Sequence, residues 1–318
     1  MDMEFNSDQR ALVDALQDLV ERHVAPPKEG NVSAAVHSHY SEALDRDLTD
    51  AGYFGIAREE GFGPFEAALL VEEVARSPSV VEVGASALVA PQLLKEDVPR
   101  PVVLMRAAEI GRSVRFLDRA RTVLVDMGDD VAVVDVKPGD VEPVNAIYAY
   151  TFGQFRQPDL IRADLAKARK LQGLGPKMRQ WWRVELAVEA GAAMNQAVQF
   201  TLEYVKNRRQ FGRPIGSFQA VQHRLAMSLQ MAEATRWLAR RAAGTGSEAD
   251  AAVAALYAQE SIAPVGYDCH QFNGALGMTL EHPLHFWTFR LRALQGELGG
   301  NAGHARAVAS AVWNVKAA

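Results

Sequence analysis

The sequence predicts a mainly α-helical protein with a small β insert, and three observations support this fold class. Apolar residues recur every three or four positions near the N-terminus and over the C-terminal half, which is the spacing of a helix face. Between about residues 102 and 155, short valine-rich runs alternate with Gly, Pro and Asp, a pattern typical of strands and turns. With 318 residues, 48% of them apolar, the chain can form two or three domains around a large core.

Residues 1–98 are predicted to form an N-terminal helical domain. Its first helix follows an N-cap at Asn6 or Ser7 and has four apolar residues on one face, namely Leu12, Leu16, Leu19 and Val20. The segments "HYSEALDRDLTDAGYFGIA" and "GPFEAALLVEEVARS" predict a second and a third helix. Residues 84–96 have the pattern of a fourth.

Residues 99–170 are predicted to form a reduced β domain. The stretch "TVLVDMGDDVAVVDV" has the pattern of a hairpin that turns at Met127–Asp130. The strand-like region covers about fifty residues, which is small for an independent sheet domain.

Residues 171–318 are predicted to form a C-terminal helical bundle. About thirty residues from Lys177 onward contain no proline, a length typical of a bundle helix. A second helix is expected after a cap at Ser217, and a third from about Ser247 to Phe272. A fourth is expected to begin at Pro283, and a fifth to run to the C-terminus.

Composition excludes several classes of function. The formal net charge of −5 argues against non-specific binding of nucleic acid, which requires a basic face. The single cysteine, Cys269, excludes an intrachain disulfide and a multi-cysteine metal site, and the histidine spacing suggests no metal either. The start "MDMEFNSDQR" is unlike a signal peptide, and no apolar run approaches the roughly 20 residues of a membrane span. We therefore expect a cytoplasmic protein without a membrane or nucleic-acid partner.

Two strings in the C-terminal part could carry a binding site. In "NRRQFGRPIGSFQAVQHRLA", Arg208 and Arg209 stand at a helix end before a turn. They either cap the helix dipole or bind an anion such as a pyrophosphate. In "DCHQFNGALGMTLEHPLHFWTFRLRA", Gln271 and the glycines at 274 and 277 mark either a helix stop or a close approach of backbone to a ligand.

Together with "AGYFGIAREEGFGPFEAALLVEEVARS", these strings resemble the acyl-CoA dehydrogenase family over most of the chain and in the family's order. The C-terminal signature "RxQFGxPIxxFQxVxxxLA" is the most specific part of the resemblance. It implies a helical domain, a middle β domain and a C-terminal four-helix bundle. Family members use FAD to desaturate acyl-CoA thioesters between Cα and Cβ, and each flavin lies across a dimer interface.

The resemblance implies that this chain contacts FAD held by a neighbouring subunit. Ala275, which replaces a family glycine, is a mild departure from the pattern. The positions that match cofactor-binding residues of the family are Arg208, Gln210, Phe211, Ile215, Phe218, Val221, Gln271 and Gly274.

The chain's own flavin pocket is expected to be incomplete. The family's "TEPxAGSD" loop and "KxWITN" strand, which contact the flavin and the substrate, are missing between Val80 and Gly173. A middle domain shortened in this way is not expected to bury a flavin ring.

The resemblance also implies that the catalytic base is missing. The reaction needs a carboxylate that takes the α-proton while hydride leaves Cβ. The family's "YEGT" motif aligns with residues 298–301, which places Gly299 at the glutamate. A smaller set of members has the base at the position of Trp182, followed by an arginine that is kept here as Arg183. We therefore predict no catalytic residue in this chain.

Two nearby carboxylates remain as alternative bases. Glu297 lies two residues before Gly299, which on a helix is a rotation of about 200° and would turn it away. Glu185 lies one turn after Trp182, where we expect a solvated carboxylate or an ion pair with Arg179 or Arg183.

Within the family, the chain resembles the shortened subunits of heteromeric (α2β2) steroid-type acyl-CoA dehydrogenases of actinobacteria. It predicts that this chain pairs with a homologous full-length subunit, which holds most of the FAD and of the acyl-CoA, a steroid side-chain thioester by analogy. One alternative is a self-sufficient dehydrogenase that uses Glu185 or Glu297 as its base. Another is a non-enzymatic helical scaffold subunit.

Overall fold

A computed structural model of the chain describes residues 4–24 and 39–313. The N-terminal part contains four helices: α1 (Ser7–Glu21), α2 (Glu42–Asp50), α3 (Pro64–Arg76) and α4 (Ala90–Leu93). A π-helical turn, Gly84–Val89, leads directly into α4. These elements confirm the helices predicted in this part of the chain.

Helix α1 begins as its sequence predicts. The Asn6 side chain accepts a hydrogen bond of 2.8 Å from the Gln9 amide, and the Gln9 side chain accepts one of 3.1 Å from the Asn6 amide. This reciprocal cap satisfies two amide groups that a helix start leaves without partners. The four apolar residues predicted for one face are all buried, namely Leu12, Leu16, Leu19 and Val20.

Seven strands follow, in two sheets: β1 (Val102–Arg106), β2 (Val114–Arg115), β3 (Thr122–Asp126), β4 (Val131–Asp135), β5 (Val141–Val144), β6 (Phe152–Phe155) and β7 (Arg169–Leu171). The first sheet has the order β1-β3-β4-β7, in which β1 and β3 are parallel. The second is the antiparallel sheet β2-β6-β5. Strands β3 and β4 form the predicted hairpin, whose turn is closed by a 2.9 Å bond from the Met127 amide to the Asp130 carbonyl.

The sequence prediction missed two elements at the end of this region. Helix α5 (Pro158–Asp164) leads to strand β7, which is an edge of the first sheet. Strand β7 has only three residues, two of them exposed and basic, so it shows neither the alternation nor the β-branched content of a typical strand.

The C-terminal part is a helical bundle built around one long helix. It contains α6 (Gly175–Asn207), α7 (Gln219–Thr245), α8 (Glu248–Asn273), α9 (His285–Leu294) and α10 (Gly300–Trp313). The two-residue strands β8 (Arg209–Gln210) and β9 (Arg213–Pro214) form a small hairpin between α6 and α7. Helix α6 packs against α3, α7, α8 and α9, which explains why it is buried on most of its circumference. Among the described residues, no helix combines the length and apolarity that a membrane span requires.

The predicted cap of α7 is wrong. Ser217 belongs to a 3₁₀ turn, Ile215–Ser217, and its hydroxyl donates a 2.7 Å bond back to the carbonyl of Pro214. Phe218 therefore stands at the N-cap, and no side chain caps the helix. The serine is used to close the turn before the helix, so it is not free to bond the amides of the first helical turn.

The fold class is confirmed, since helices flank a small β region on both sides. One apolar core contains residues from the N-terminal helices, the strands and the bundle. The division at residues 98 and 170 stays a prediction, because this shared core does not separate the three parts.

Candidate functional site

A buried ion cluster lies where the strand region meets the bundle. Arg115 on β2 donates to three glutamates: Nη2 to Glu185 at 2.6 Å, Nη1 to Glu189 at 2.6 Å, and Nε to Glu297 at 2.7 Å. The Arg115 side chain is only 11% exposed, and those of Glu185 and Glu189 are 2% and 6% exposed. Because charges at this depth are poorly solvated, the one guanidinium stabilises all three carboxylates.

Two aromatic side chains complete the cluster. The indole Nε1 of Trp182 donates a 2.8 Å bond to Glu297, and the hydroxyl of Tyr150 donates a 3.2 Å bond to Glu189. The Arg115 guanidinium also lies 5.1 Å from the centre of the Tyr150 ring, within the range of a cation–π interaction. Each glutamate of the cluster therefore contacts Arg115, and two of them have a second donor.

The geometry of α6 places three members of the cluster together. Trp182, Glu185 and Glu189 are three and four residues apart, so their side chains line one face of the helix. The predicted environment of Glu185 is therefore wrong. It is a buried carboxylate paired with Arg115, whereas Arg179 pairs with Asp126 at 2.7 Å.

The predicted orientation of Glu297 is also wrong, because the chain does not continue as a helix there. Glu297–Gly299 is a 3₁₀ turn in which Leu298 has φ +51°, and Gly299 and Gly300 follow with φ +88° and +57°. Three left-handed residues reverse the chain, and the helical rotation of about 200° no longer applies. Glu297 consequently points toward Trp182 and Arg115.

Helix α9 holds this turn in place through a buried arginine. Arg290 is 2% exposed and donates bonds of 2.7, 2.7 and 2.8 Å to the carbonyls of Ser77, Pro78 and Ser79. These bonds fix the helix that ends just before Glu297 against the end of α3.

Burial raises the pKa of two carboxyls of the cluster. The pKa of Glu185 lies well above its usual value because of burial, and attraction to Arg115 offsets part of the effect. Burial also raises the pKa of Glu297, while attraction to Arg115 and the hydrogen bond from Trp182 lower it by a smaller amount. Three carboxylates around one guanidinium carry excess negative charge, so the cluster favours a proton on one of them.

A cleft of about 260 Å³ adjoins the cluster. It lies between β1, β2, the π-helical turn, the first half of α6 and the end of α9. Its polar lining consists of Glu82, Arg106, Glu109, Arg112, Ser113, Arg115, Glu185 and Glu297. The volume is slightly below the roughly 300–1,000 Å³ typical of ligand sites.

Glu82 is the functional candidate in this cleft that the sequence analysis missed. It is 3% exposed, accepts a 2.7 Å bond from the Ala85 amide, and accepts a bond from the Ser86 hydroxyl. Burial raises the pKa of Glu82 to about 7, against the hydrogen bonds and the charge of Arg115. The only sequence signal was a glutamate before a helical segment, which is also the pattern of an ordinary cap.

The backbone of the π-helical turn approaches the cluster closely at Gly84. A Cβ added at this residue would lie 2.5 Å from both Cγ and Oε1 of Glu185. Only a glycine leaves room here for the glutamate that pairs with Arg115.

The two positions that the sequence analysis aligns with the family's base are Trp182 and Gly299. Trp182 contributes its indole to the cluster, and Gly299 lies in the turn that contains Glu297. Their alignment with the base stays a prediction. The nearest carboxylates, Glu185 and Glu297, are both bound to Arg115.

The first group of predicted cofactor-binding residues lies on an exposed turn at one end of the bundle. Arg208 and Gln210 are exposed, and Phe211 is 89% exposed with φ +53°. The group is completed by three half-buried residues: Ile215, Phe218 and Val221. Within the described residues, the Arg208 guanidinium has no acidic partner, so it is available to an external anion.

The second group lies at the same end of the bundle. Gln271 is exposed on the last turn of α8, and Gly274 follows with φ +61°. The Asn273 side chain donates a 2.9 Å bond to Thr201, which holds the end of α8 against the last turns of α6. The turn after α6 also packs there, since a Cβ at Gly216 would lie 3.1 Å from the carbonyl of Val205.

The bundle matches a known protein family. Residues 178–312 match the family described as "Acyl-CoA dehydrogenase, C-terminal domain". Over 91% of its length, the chain is 28% identical to acyl-CoA dehydrogenase IpdE2 of Mycobacterium tuberculosis and covers 99% of that protein. It is 26% identical to IpdE2 of Mycolicibacterium smegmatis over 84% of its length and 92% of that protein.

Solved structures have the same fold over the whole chain. The ChsE4-ChsE5 complex from Mycobacterium tuberculosis contains a chain that superposes with a TM-score of 0.80, at 20% identity and full coverage of both chains. A variant of the Tcur3481-Tcur3483 steroid ACAD contains one with a TM-score of 0.79, at 21% identity, over 96% of this chain and 98% of that one.

Proposed function

We propose that this chain, whose residues 178–312 match the C-terminal domain of acyl-CoA dehydrogenases, is a subunit of a heteromeric FAD-dependent acyl-CoA dehydrogenase and lacks a catalytic base of its own. The proposal rests on the residues that stand at the two positions aligned with the family's base. Gly299 has no side chain, and Trp182 donates an indole N–H where the reaction needs a proton acceptor.

The carboxylates beside these positions are poorly suited to replace the base. Glu185 and Glu297 each accept a short bond from Arg115, so their lone pairs are directed at the guanidinium. A base must reach the α-proton of the substrate, and a side chain held in this way would first have to break a buried ion pair. A partner subunit that supplies the glutamate accounts for this arrangement.

In this proposal the chain contributes to the FAD of its partner. FAD, when bound, accepts hydride from the acyl group. Arg208, Gln210 and Phe211 on the exposed turn would bind it from outside, with Gln271 and Gly274 from the neighbouring turn. The support is that both groups lie at one end of the bundle and that the Arg208 guanidinium is free to pair with a pyrophosphate.

The partner in this proposal is a homologous full-length subunit, in an α2β2 assembly. The ChsE4-ChsE5 structure is a complex of two proteins, and the Tcur3481-Tcur3483 protein is described as a steroid ACAD. By analogy, a steroid side-chain acyl-CoA is the proposed substrate, bound mainly by the partner, in the cytoplasm. The small cleft of this chain agrees with a substrate held elsewhere.

One observation favours a second candidate, a self-sufficient dehydrogenase. Glu185 and Glu297 line the cleft, and burial raises the pKa of both, a direction of shift that is common for general bases in active sites. This candidate requires the chain to bind one FAD by itself.

The ratio of FAD to protein separates these functions. The chain would be purified alone and after co-expression with a homologous subunit, and bound FAD would be measured by absorbance. We expect no FAD on the chain alone and one FAD per heterodimer. One FAD per chain without a partner would contradict the proposal. A heteromer whose FAD content and activity survive Arg208→Ala combined with Gln271→Ala would instead favour a helical scaffold.

A further inference from the structure

The Arg115 cluster connects parts of the chain that are far apart in sequence. Arg115 belongs to the second sheet, Glu185 and Glu189 to α6, and Glu297 to the turn after α9. The sequence separations are 70, 74 and 182 residues, respectively. A guanidinium has five N–H bonds, and three of them donate to these glutamates. Arg115 thus connects the strand region to α6 and to the turn after α9.

The cluster depends on this one cation. The acidic groups around it are Glu185, Glu189 and Glu297 in contact, with Glu82 across the cleft and the Tyr150 hydroxyl beside Glu189. The nearby basic groups face other atoms. The ring of His304 contacts only the backbone carbonyl of Glu297, and Arg183 bonds none of these carboxylates. The charge of Arg290 also acts on Glu189, but its N–H groups donate to backbone carbonyls. Without Arg115, the three buried carboxylates would therefore have no hydrogen-bonded counter-ion.

The Arg115 guanidinium also lies close to both positions that align with the family's base. It lies beside Trp182 and the turn that contains Gly299, which are the two places where the family holds its base. The side chain therefore extends from β2 into the space between strands and bundle, and the cleft of about 260 Å³ is what remains of that space.

We propose that Arg115 closes this chain's own active-site cleft from within and, as a built-in cation, holds the strand region against the bundle beside the two positions that align with the family's base. The closure of a former active site rests on the proposed function, whereas the clamp itself depends only on the contacts described. The pocket left by removing the side chain would have a definite chemistry, since three convergent carboxylates would bind a small planar guanidinium ion.

Chemical rescue tests the clamp directly. Arg115→Ala would be compared with the unchanged protein in the full complex, and in the chain alone if it is recovered, by thermal unfolding with millimolar methylguanidinium chloride. We expect the substitution to lower the midpoint by about 10 °C, since an unpaired buried charge is strongly destabilising. Methylguanidinium is expected to restore part of that loss, and tetramethylammonium chloride at equal ionic strength is not.

Arg119→Ala is the matched control. Arg119 lies four residues away and pairs with Glu42 at 2.9 Å and Asp118 at 3.3 Å, but its side chain is 39% exposed. Its removal should lower the midpoint by no more than about 2 °C, with no response to methylguanidinium. An unchanged midpoint for Arg115→Ala, or equal recovery with both salts, overturns the clamp.

A variant that removes the cation together with two of its acidic partners covers the case in which Arg115→Ala does not fold. Arg115→Met combined with Glu185→Gln and Glu297→Gln removes the cation together with two acids. We expect it to fold, to lose the methylguanidinium response, and to exchange amide hydrogens faster at residues 114–116 and 296–299 than the unchanged protein. Protection equal to that of the unchanged protein would overturn the proposal. FAD content, measured on the same samples, tests the proposed function independently, because one FAD on the chain alone would refute that function and leave the clamp standing.

Discussion

The indole of Trp182 donates a 2.8 Å hydrogen bond to the carboxylate of Glu297, although the two residues are 115 positions apart. Trp182 stands at one of the two positions that align with the family's base. Glu297 lies two residues before the other, which is Gly299. The fold thus brings Trp182 next to the turn that contains Gly299, and the contact between them consists of an indole donor and a carboxylate that Arg115 already binds. Because Glu185 and Glu297 lie beside these positions, substituting them tests whether either residue acts as the base.

Neither Glu185 nor Glu297 is expected to act as the base of the assembled enzyme. Glu185→Gln and Glu297→Gln should each change kcat by less than about twofold, whereas loss of a general base costs about 10²–10⁴-fold. Steady-state turnover of the heteromer with a saturating acyl-CoA would measure the effect. A loss of a hundredfold or more from either variant, with unchanged FAD content, would identify that residue as the base.

Arg208 should contribute to FAD affinity in the heteromer. Arg208→Ala removes a charge-assisted contact to the pyrophosphate and is expected to weaken FAD binding about 10- to 100-fold. Equilibrium titration of the FAD-depleted complex would give the change in Kd. Lys206→Ala is the matched control, since Lys206 lies on the same helix end, is exposed, and pairs with Glu203 at 2.6 Å. If the two variants lose affinity equally, the loss reflects the overall charge of the turn and the contact from Arg208 is disproved.

Glu82 should make the fold less stable as the pH rises. Burial raises the pKa of Glu82 to about 7 from its usual 4.5. Protonation of Glu82 therefore stabilises the folded state below about pH 4.5, and this contribution is lost as the pH rises to about 7. The loss amounts to at most about 3 kcal/mol.

A comparison with Glu82→Gln isolates this effect. Glutamine does not titrate, so the stability of the variant relative to the unchanged protein should increase between pH 4.5 and 7. Urea unfolding at several pH values would show it. His304, whose pKa burial lowers to about 4, acts in the opposite direction but is present in both proteins. A difference in stability that is constant over this range would contradict the assignment.

The buried pair Arg240–Glu72 should be a main support between α7 and α3. The guanidinium donates two bonds of 2.8 Å to the carboxylate, and both side chains are buried. Arg240→Ala is expected to lower the free energy of unfolding by at most about 3–5 kcal/mol, because it removes both short bonds to the buried Glu72 and leaves it only the Arg236 guanidinium, 3.8 Å away.

Arg241 provides the control for this pair at the next position. It is 60% exposed and bonds Asp250 at 3.2 Å, so Arg241→Ala should cost less than about 1 kcal/mol. Chemical denaturation of the two variants would give both values. If both variants lose a similar free energy of unfolding, burial does not increase the contribution of the Arg240–Glu72 pair to stability.

Local signals in the sequence predicted most of the helices and the central hairpin. The cap at Asn6 and the four buried residues of α1 follow from spacing alone, and so does the turn between β3 and β4. Strand β7 could not be found in this way, because only its pairing with β4 makes it a strand. Ser217 was assigned as a cap since serine is a common one, but a bond to Pro214 competes for its hydroxyl.

The site was predicted only in part. The sequence located the missing base at Gly299 and Trp182 by alignment, and it named Glu185 and Glu297 as nearby carboxylates. No local pattern points to Arg115, because it lies at least 70 residues from each of the three glutamates that it bonds. The orientation of Glu297 depends on left-handed backbone at Leu298. Leucine rarely adopts this conformation, so the sequence does not predict it.

The contact between Gly84 and Glu185 has a consequence for the evolution of this chain. With only 2.5 Å between Glu185 and the place where a Cβ would stand at residue 84, the two positions cannot change independently. In an alignment of relatives they should covary, with glycine at 84 wherever a long acidic side chain stands at 185. A lineage that gains a side chain at 84 must therefore also replace or move Glu185, and with it the ion pair that Glu185 forms with Arg115.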